Sequence, residues 1–336
     1  MRAEIKKISY YLPEQVVTND DLERENPDWD MGLVGSRIGV LKRHIAREDE
    51  TALDLAIKAC KNMFAEDRSL KGLVDGIIFC TQSGDYILPP DSCILHKELG
   101  LGEDVFAFDL NLACSGYVYG LALAQGLISS GRAANILLVN ADTYSKYINK
   151  HDRSVRVLFG DGAAVSWIAA SGSEKGIIDI RCSTYGKYYD KFIIPAGGCR
   201  TPRSRATASS NTDNSGNART PENIYMDGMA ILAFVNSKIP AQINGILSKN
   251  GLGIEDIALF VFHQASKPSL DKLASLLKID PEKVYSNIDR VGNTVSASIP
   301  IALKDAIEEG RASAGDKVLL SGFGVGLSWG TAIVNL

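Results

Sequence analysis

The sequence has no CxxC pair and no closely spaced cluster of cysteine and histidine. Its six cysteines (Cys60, Cys80, Cys93, Cys114, Cys182 and Cys199) are scattered, and His44, His96, His151 and His263 form no metal motif. That excludes a zinc-ribbon type of site, argues against a disulfide framework and points to a reducing cytoplasm. No stretch approaches the roughly 18 apolar residues expected of a membrane span. Nothing at the start reads as a signal peptide, since 1–7 is charged and 8–12 is too short for its apolar core. Excess charge is missing too. With 36 basic and 40 acidic residues the net charge is −4, which speaks against nucleic acid or an anionic membrane as partner. What remains is an ordinary globular composition, 45% hydrophobic and 23% charged, in 336 residues, long enough for two domains or one duplicated core.

The stretch Asp109-Leu-Asn-Leu-Ala-Cys114-Ser-Gly-Tyr117 organises the rest. An apolar strand-like run, 105–108, leads into it, and an alanine- and leucine-rich run with helical spacing, 119–128, leaves it. Cys114 therefore sits at a strand-to-helix turn, where a helix N-terminus is expected to lower a thiol's pKa. Elsewhere, strands are expected at 5–11, 75–80, 135–140, 163–169, 257–262, 317–320 and 331–335, and helices at 18–24, 51–64, 92–99, 227–250 and 269–277. Residues 26–36 read as a loop, and the polar insert 197–221 as an exposed one.

The chain also repeats itself. Residues 75–83 match 256–266 in pattern, 130–139 match 309–320, and 105–114 align without gaps on 284–293, so Cys114 and Asn293 fall on equivalent turns. Two pseudo-symmetric α/β halves are expected, 1–172 carrying Cys114 and 173–336 carrying His263 and Asn293. A shared site would lie where the equivalent turns meet.

Acyl chemistry on a thiol needs a nucleophile, a hydrogen-bonding or proton-handling partner and donors for an oxyanion. His263 stands at the end of an apolar strand, and Asn293 follows Gly292 on a turn. Gly322-Phe-Gly-Val-Gly326 can offer backbone N–H groups. Singly, each has a structural reading as well: a packed turn cysteine, a satisfied core histidine, a helix cap, a plain glycine turn.

Together these residues form five ordered motifs: Asn111-Leu-Ala-Cys114-Ser-Gly, Phe159-Gly-Asp-Gly-Ala163, His263-Gln-Ala, Gly292-Asn-Thr-Val-Ser-Ala-Ser-Ile-Pro300 and Gly322-Phe-Gly-Val-Gly-Leu-Ser-Trp-Gly330. With them the chain resembles, along nearly its whole length, the β-ketoacyl-acyl-carrier-protein synthase III family of the thiolase superfamily. The resemblance implies a five-layer αβαβα fold, a homodimer, and acyl-coenzyme A or acyl-carrier protein as substrates, with no metal and no tightly bound cofactor. It implies an acyl thioester on Cys114, His263 and Asn293 on the malonyl thioester carbonyl, and an oxyanion hole from the Cys114 and Val325 N–H groups. By the same resemblance Leu88 is the acyl-tunnel gate reaching into the partner. Arg153 contacts coenzyme A, and Leu33 falls where a stacking tryptophan is expected, with Trp29 nearby.

The departures point to a specialised role. Ser266 and Pro268 replace an Asn and a carrier-docking Arg, leaving Lys267, Arg200, Arg203 and Arg205 as cations for a carrier protein, and Leu88 replaces a phenylalanine. A decarboxylating condensation is the reading that uses Asn293. Transfer of the acyl group to an alcohol or amine is the alternative, and a cysteine hydrolase or a non-catalytic subunit are remoter ones.

Overall fold

A computed structural model describes residues 2–173 and 175–336. Two sheets organise it. The first runs β1 (Arg2–Tyr11), β7 (Gly162–Ser171), β6 (Asn135–Asp142), β4 (Gly76–Cys80), β5 (Phe106–Leu110). The second runs β8 (Gly176–Thr184), β15 (Ser328–Asn335), β14 (Lys317–Gly324), β13 (Leu259–Phe262). In the first, β4 pairs parallel with β5 and β6, while β7 is antiparallel to β6 and β1. The second repeats those directions: β13 is parallel to β14, and β15 is antiparallel to β14 and β8. Where β5 would have its counterpart, only a parallel bridge from Phe260 to Val284 forms. The strand that the match of 284–293 to 105–114 implies is thus reduced to that bridge, and a one-turn helix, α9 (Ile288–Val291), precedes Asn293.

The layers follow from where apolar stripes find cover. α5 (Gly116–Ser129) and α10 (Ser298–Glu308) touch strands of both sheets and share one buried cluster with them, including Leu121, Ala124, Ile299 and Leu303. α3 (Ala52–Glu66) and α4 (Asp91–Leu99) cover the outer face of the first sheet, and α7 (Gly228–Lys249) and α8 (Lys267–Leu277) that of the second. Five layers, αβαβα, result. β4 is buried along its whole length, as a central parallel strand with both faces covered must be.

Local signals set the helix ends. Thr18 and Asp21 form a capping box on α1 (Asn19–Glu25), and Thr51 and Asp54 on α3. Asp109, at the end of β5, accepts from the Asp91 and Ser92 N–H groups, at 2.8 and 2.9 Å, and so caps α4 from the neighbouring strand.

Residues 26–30 form the expected loop, but 31–36 do not. Asp30 caps a helix, α2 (Met31–Ile38), and Gly39 closes it in the left-handed conformation. Two internal glycines, Gly32 and Gly35, mask it in the sequence. Trp29 is buried under α2 with Leu22, Met31 and Val157.

The insert 197–221 is largely exposed, but it is anchored. It carries a two-residue hairpin, β10 (Asn211–Thr212) with β11 (Ala218–Arg219). Arg219 Nε lies 2.6 Å from the buried Asp152 carboxylate and its Nη2 lies 2.8 Å from Asp213. Asp152 in turn caps α6 (Arg153–Arg156). Two small ribbons complete the chain: β2 (Val16–Thr18) with β3 (Lys42–His44), and β9 (Phe192–Ile193) with β12 (Tyr225–Met226). Among the described residues no helix is long and apolar enough to cross a membrane.

The two sheets' segments meet closely at Gly322, where a Cβ would stand 2.5 Å from the Cys114 carbonyl oxygen and 3.0 Å from Ser115 Cα. Backbone atoms cannot swing aside. Gly322→Ala should therefore cost about 1–3 kcal/mol of stability, as overpacking does, read as a lower urea midpoint with unchanged m-value.

Candidate active site

The C-terminal ends of the parallel strands in both sheets face one another, the usual location of sites in α/β folds. β5 ends at Leu110 and α5 starts at Gly116, leaving Cys114 on the turn between them, 3% exposed. Gly116 is required there, because a Cβ would fall 2.2 Å from Cys80 Sγ. Opposite, a Cβ on Gly324 would come within 3.0 Å of Cys114 Sγ, so the glycine loop passes against the thiol. Ser115 and Ser328 hydroxyls, 2.7 Å apart, tie the same two segments.

The thiol does not have the lowered pKa expected of a helix N-terminus. Burial pushes it well above its ordinary value, the nearby Asp142 carboxylate adds to that, and the Cys114 backbone N–H opposes them. Desolvation of a whole anionic charge outweighs the fractional charge of a helix end. Cys114 rests as the protonated thiol.

His263 follows the last residue of β13 and is 2% exposed. Its backbone N–H donates to Ser321 O at 2.8 Å, and its ring packs edge-on against Phe323. Nδ1 lies 2.7 Å from the Ser298 hydroxyl at the start of α10. Burial lowers the imidazole pKa to about 3, so the ring is neutral under working conditions. Ser298 lies inside the motif ending at Pro300 but carried no functional reading in the sequence.

Asn293 is held at both ends of its backbone by the Phe159-Gly-Asp-Gly turn: its N–H donates to Leu158 O, and its carbonyl accepts from Gly160 N–H, each at 2.9 Å. Its Oδ1 accepts from Val295 N–H at 3.0 Å, which leaves the amide NH₂ as the group it can offer. Val295 has φ +53°, a conformation rare for a β-branched residue. In the same motif Asp161 is buried and accepts from Ala46 N–H and from the N–H and hydroxyl of Ser145; burial raises its pKa to about 6.

Cys114, His263 and Asn293 line one cavity of about 280 Å³. Its walls are largely apolar and come from distant elements: Ile38 of α2, Phe192 of β9, Met226 of β12 and Ile231 and Leu232 of α7. These wall residues have no local signal in the sequence, since only tertiary folding assembles them. The other expected site residues lie apart. Val325 is half-buried next to the Cys114 cluster. Arg153 opens α6, adjacent to Ser154 on the cavity wall. Leu33 is exposed on α2, and Trp29, in the core, is not available to stack on a nucleotide. Leu88 is 78% exposed, beside exposed Tyr86 and Ile87, and does not line the cavity of its own chain. Among the described residues no group of His, Cys, Asp or Glu is placed to hold a metal.

A buried thiol, a neutral histidine and an amide donor on one cavity, between two mirrored sheets, define a thiolase-fold condensing acyltransferase. The comparisons with known proteins make the class narrower. The family model for 3-oxoacyl-[acyl-carrier-protein] synthase III matches residues 108–186, and that for the C-terminal part of the same enzymes matches 247–336. The chain belongs to the 3-oxoacyl-[acyl-carrier-protein] synthase III family. It is 36% identical to the β-ketoacyl-[acyl-carrier-protein] synthase III of Lactococcus lactis, over 99% of each chain, and 35% identical to that of Fusobacterium nucleatum, over 98% of each. A crystal structure of a 3-oxoacyl-(acyl-carrier-protein) synthase III superposes with TM-score 0.98 at 42% identity, covering 100% of both chains. The Thermus thermophilus enzyme superposes with TM-score 0.88 at 33% identity, over 99% of both.

The raised thiol pKa has a direct readout. Thiolate fraction rises with pH, so alkylation of Cys114 by iodoacetamide should climb close to tenfold per unit from about pH 7 to 9, without levelling. A plateau near neutrality would mean that the helix terminus prevails over burial.

Proposed function

We propose that the chain joins an acyl thioester primer to a malonyl thioester by decarboxylating Claisen condensation. In the first half-reaction Cys114 sulfur attacks the primer carbonyl. The sulfur–carbon bond forms as the primer's own thioester bond breaks, and the thiol proton leaves with the departing thiol. In the second, the malonyl carboxylate is lost as carbon dioxide, and its electron pair passes into an enolate. The Ser298 hydroxyl donating to Nδ1 leaves His263 with its proton on Nε2. That N–H and the Asn293 amide then hold the enolate oxygen. The enolate carbon attacks the acyl-Cys114 carbonyl. The Cys114 and Val325 N–H groups hold the tetrahedral oxyanion, and its collapse expels the thiolate with a 3-oxoacyl product. Neutral, pre-aimed donors in a dry cavity stabilise such transient charge better than water does.

The observation that carries this reading is the state of Asn293. With Oδ1 taken by Val295, the residue offers the cavity a donor, which an enolate uses and a simple ester or amide transfer does not require. We read 1–172 and 173–336 as the two halves that contribute Cys114 on one side and His263 and Asn293 on the other. The exposed Tyr86-Ile87-Leu88 run supports a homodimer in which Leu88 closes the partner's acyl tunnel. Arg200 and Arg205, exposed on the insert, support docking of an acidic carrier protein, whereas Lys267 pairs with Asp271 and Arg203 with Glu222. We place the reaction in the cytoplasm, with acyl-coenzyme A or acyl-carrier protein as primer donors and no tightly bound cofactor.

Incubation with an acyl primer and a malonyl thioester should release carbon dioxide and yield a 3-oxoacyl thioester; an ester or amide product instead would overturn the reading. Cys114→Ala should abolish acylation. Asn293→Ala should spare acylation of Cys114, followed by intact mass, and slow decarboxylation by roughly 100- to 1,000-fold.

A second expectation concerns coenzyme A. Base stacking on an aromatic side chain contributes roughly 1–3 kcal/mol, and with Leu33 exposed at the expected position and Trp29 buried, this chain lacks it. Acyl-coenzyme A primers should therefore show a higher KM than the same acyl group on a carrier protein, and Leu33→Trp should narrow the gap. Equal use of both primers by the wild type, with no gain from Leu33→Trp, refutes it.

A further inference from the structure

Asp142 ends β6 with no exposed surface, and every hydrogen-bond partner it has is a neutral donor. Oδ1 accepts from Gln82 N–H at 2.9 Å and Ser83 Oγ at 3.4 Å. Oδ2 accepts from Ser296 Oγ at 2.6 Å and Ser296 N–H at 3.3 Å. A carboxyl buried without a cation is costly to keep, and the steps above do not use this one. Burial lifts its pKa to about 7.

Its reach across the two halves gives it a role. Ser296 lies three residues after Asn293, and between them Val295 is held at φ +53°. Its N–H meets Asn293 Oδ1 at 3.0 Å. The backbone of Asn293 itself is fixed independently, by Leu158 and Gly160. What remains to be set at Asn293 is the rotation of its side-chain amide, and the Val295 N–H sets it. Asp142 is in turn held in place by its own strand edge, where Thr143 N–H donates to Ser83 Oγ at 2.8 Å and the Tyr144 hydroxyl donates to Gln82 Oε1 at 2.8 Å.

We infer that Asp142 is a positioning residue for Asn293: by gripping Ser296 it pins the segment 294–296 that carries the Val295 N–H, and so aims the Asn293 amide into the cavity. This rests on the reading of Asn293 as a donor to the malonyl thioester. Released from the carboxylate, the segment 294–296 is free to shift, the Val295 N–H moves off Oδ1, and the amide is free to rotate. The grip serves the decarboxylation half of the reaction and not the acylation half.

The test measures both half-reactions in the full-length enzyme, acylation of Cys114 by intact mass and carbon dioxide release from a malonyl thioester. Asp142→Asn and Ser296→Ala should each slow decarboxylation by about 10- to 100-fold, the scale of a misplaced catalytic group. Acylation should hold or rise in Asp142→Asn, since the substitution removes a charge that disfavours the Cys114 thiolate. Ser296→Thr, which keeps the hydroxyl, should restore decarboxylation. In an Asn293→Ala background, adding Asp142→Asn should cost little more. Equal slowing of both half-reactions, or a full additional loss in that background, overturns the positioning role. Should Asp142→Asn fold poorly, Ser296→Ala reads the same link. An Asn293→Ala enzyme that decarboxylates at the wild-type rate overturns the functional reading of Asn293, and the positioning role with it. Loss in Asn293→Ala beside intact decarboxylation in both Asp142→Asn and Ser296→Ala overturns the positioning role alone.

Discussion

The site depends on how closely the end of β14 approaches the Cys114 turn. At Gly322 and Gly324 the second sheet presents bare backbone to the Cys114 turn, too close for an added Cβ at Gly322 and tight for one at Gly324. Once that approach is made, the rest follows by continuity. His263 is registered against Ser321 on the neighbouring strand, Phe323 braces its ring, and the Phe159–Asp161 turn clasps Asn293 from the other half. The arrangement of Cys114, His263 and Asn293 is thus largely a backbone property. Side chains refine it, as Ser298 does at the imidazole.

Electrostatically the groups that line the cavity at its centre are themselves neutral. The thiol is protonated, the imidazole neutral, and the two buried carboxyls near it, Asp142 and Asp161, bond to uncharged donors. Such a centre suits a reaction whose negative charge is brief. It also sets opposing contributions to acid stability. Asp142 and Asp161 titrate higher folded than unfolded, so their contribution is full below about pH 4 and is lost as pH rises through about 7 and about 6 respectively. His263 titrates lower when folded. Its contribution is present above about pH 6.5 and is lost as pH falls through about 3.

Much of the frame was legible in the sequence because it rests on local pattern. Apolar runs marked the long strands, capping residues marked α1 and α3, and the internal repeat foreshadowed two sheets with the same strand order. Cys114, His263 and Asn293 were legible because each stands where an apolar strand or a glycine turn breaks off. Three things were not. α2 was hidden by Gly32 and Gly35, whose low helical propensity is offset by caps at Asp30 and Gly39 and by burial of Met31. The strand that the match of 284–293 to 105–114 implies before Asn293 yielded to a single bridge and a short helix, because pattern similarity carries no information about how many ladder bonds form. The thiol's pKa depends on desolvation by residues distant in the chain, from Tyr144 to Gly324, which local motif chemistry does not register.

The clamp of Arg219 on Asp152 bears on how such enzymes can be recombined. α6 has only four residues, too few to stand as a helix by propensity. It is held by its cap, and the capping carboxylate is itself held by an arginine from the insert. The insert is variable-looking surface by composition, yet it supplies the counter-charge for a buried anion. A chimaera that exchanged 197–221 for a shorter loop from a relative would strand Asp152 without its cation, at a cost of about 3–5 kcal/mol. The loop and the carboxylate therefore form one module, to be transplanted together or not at all.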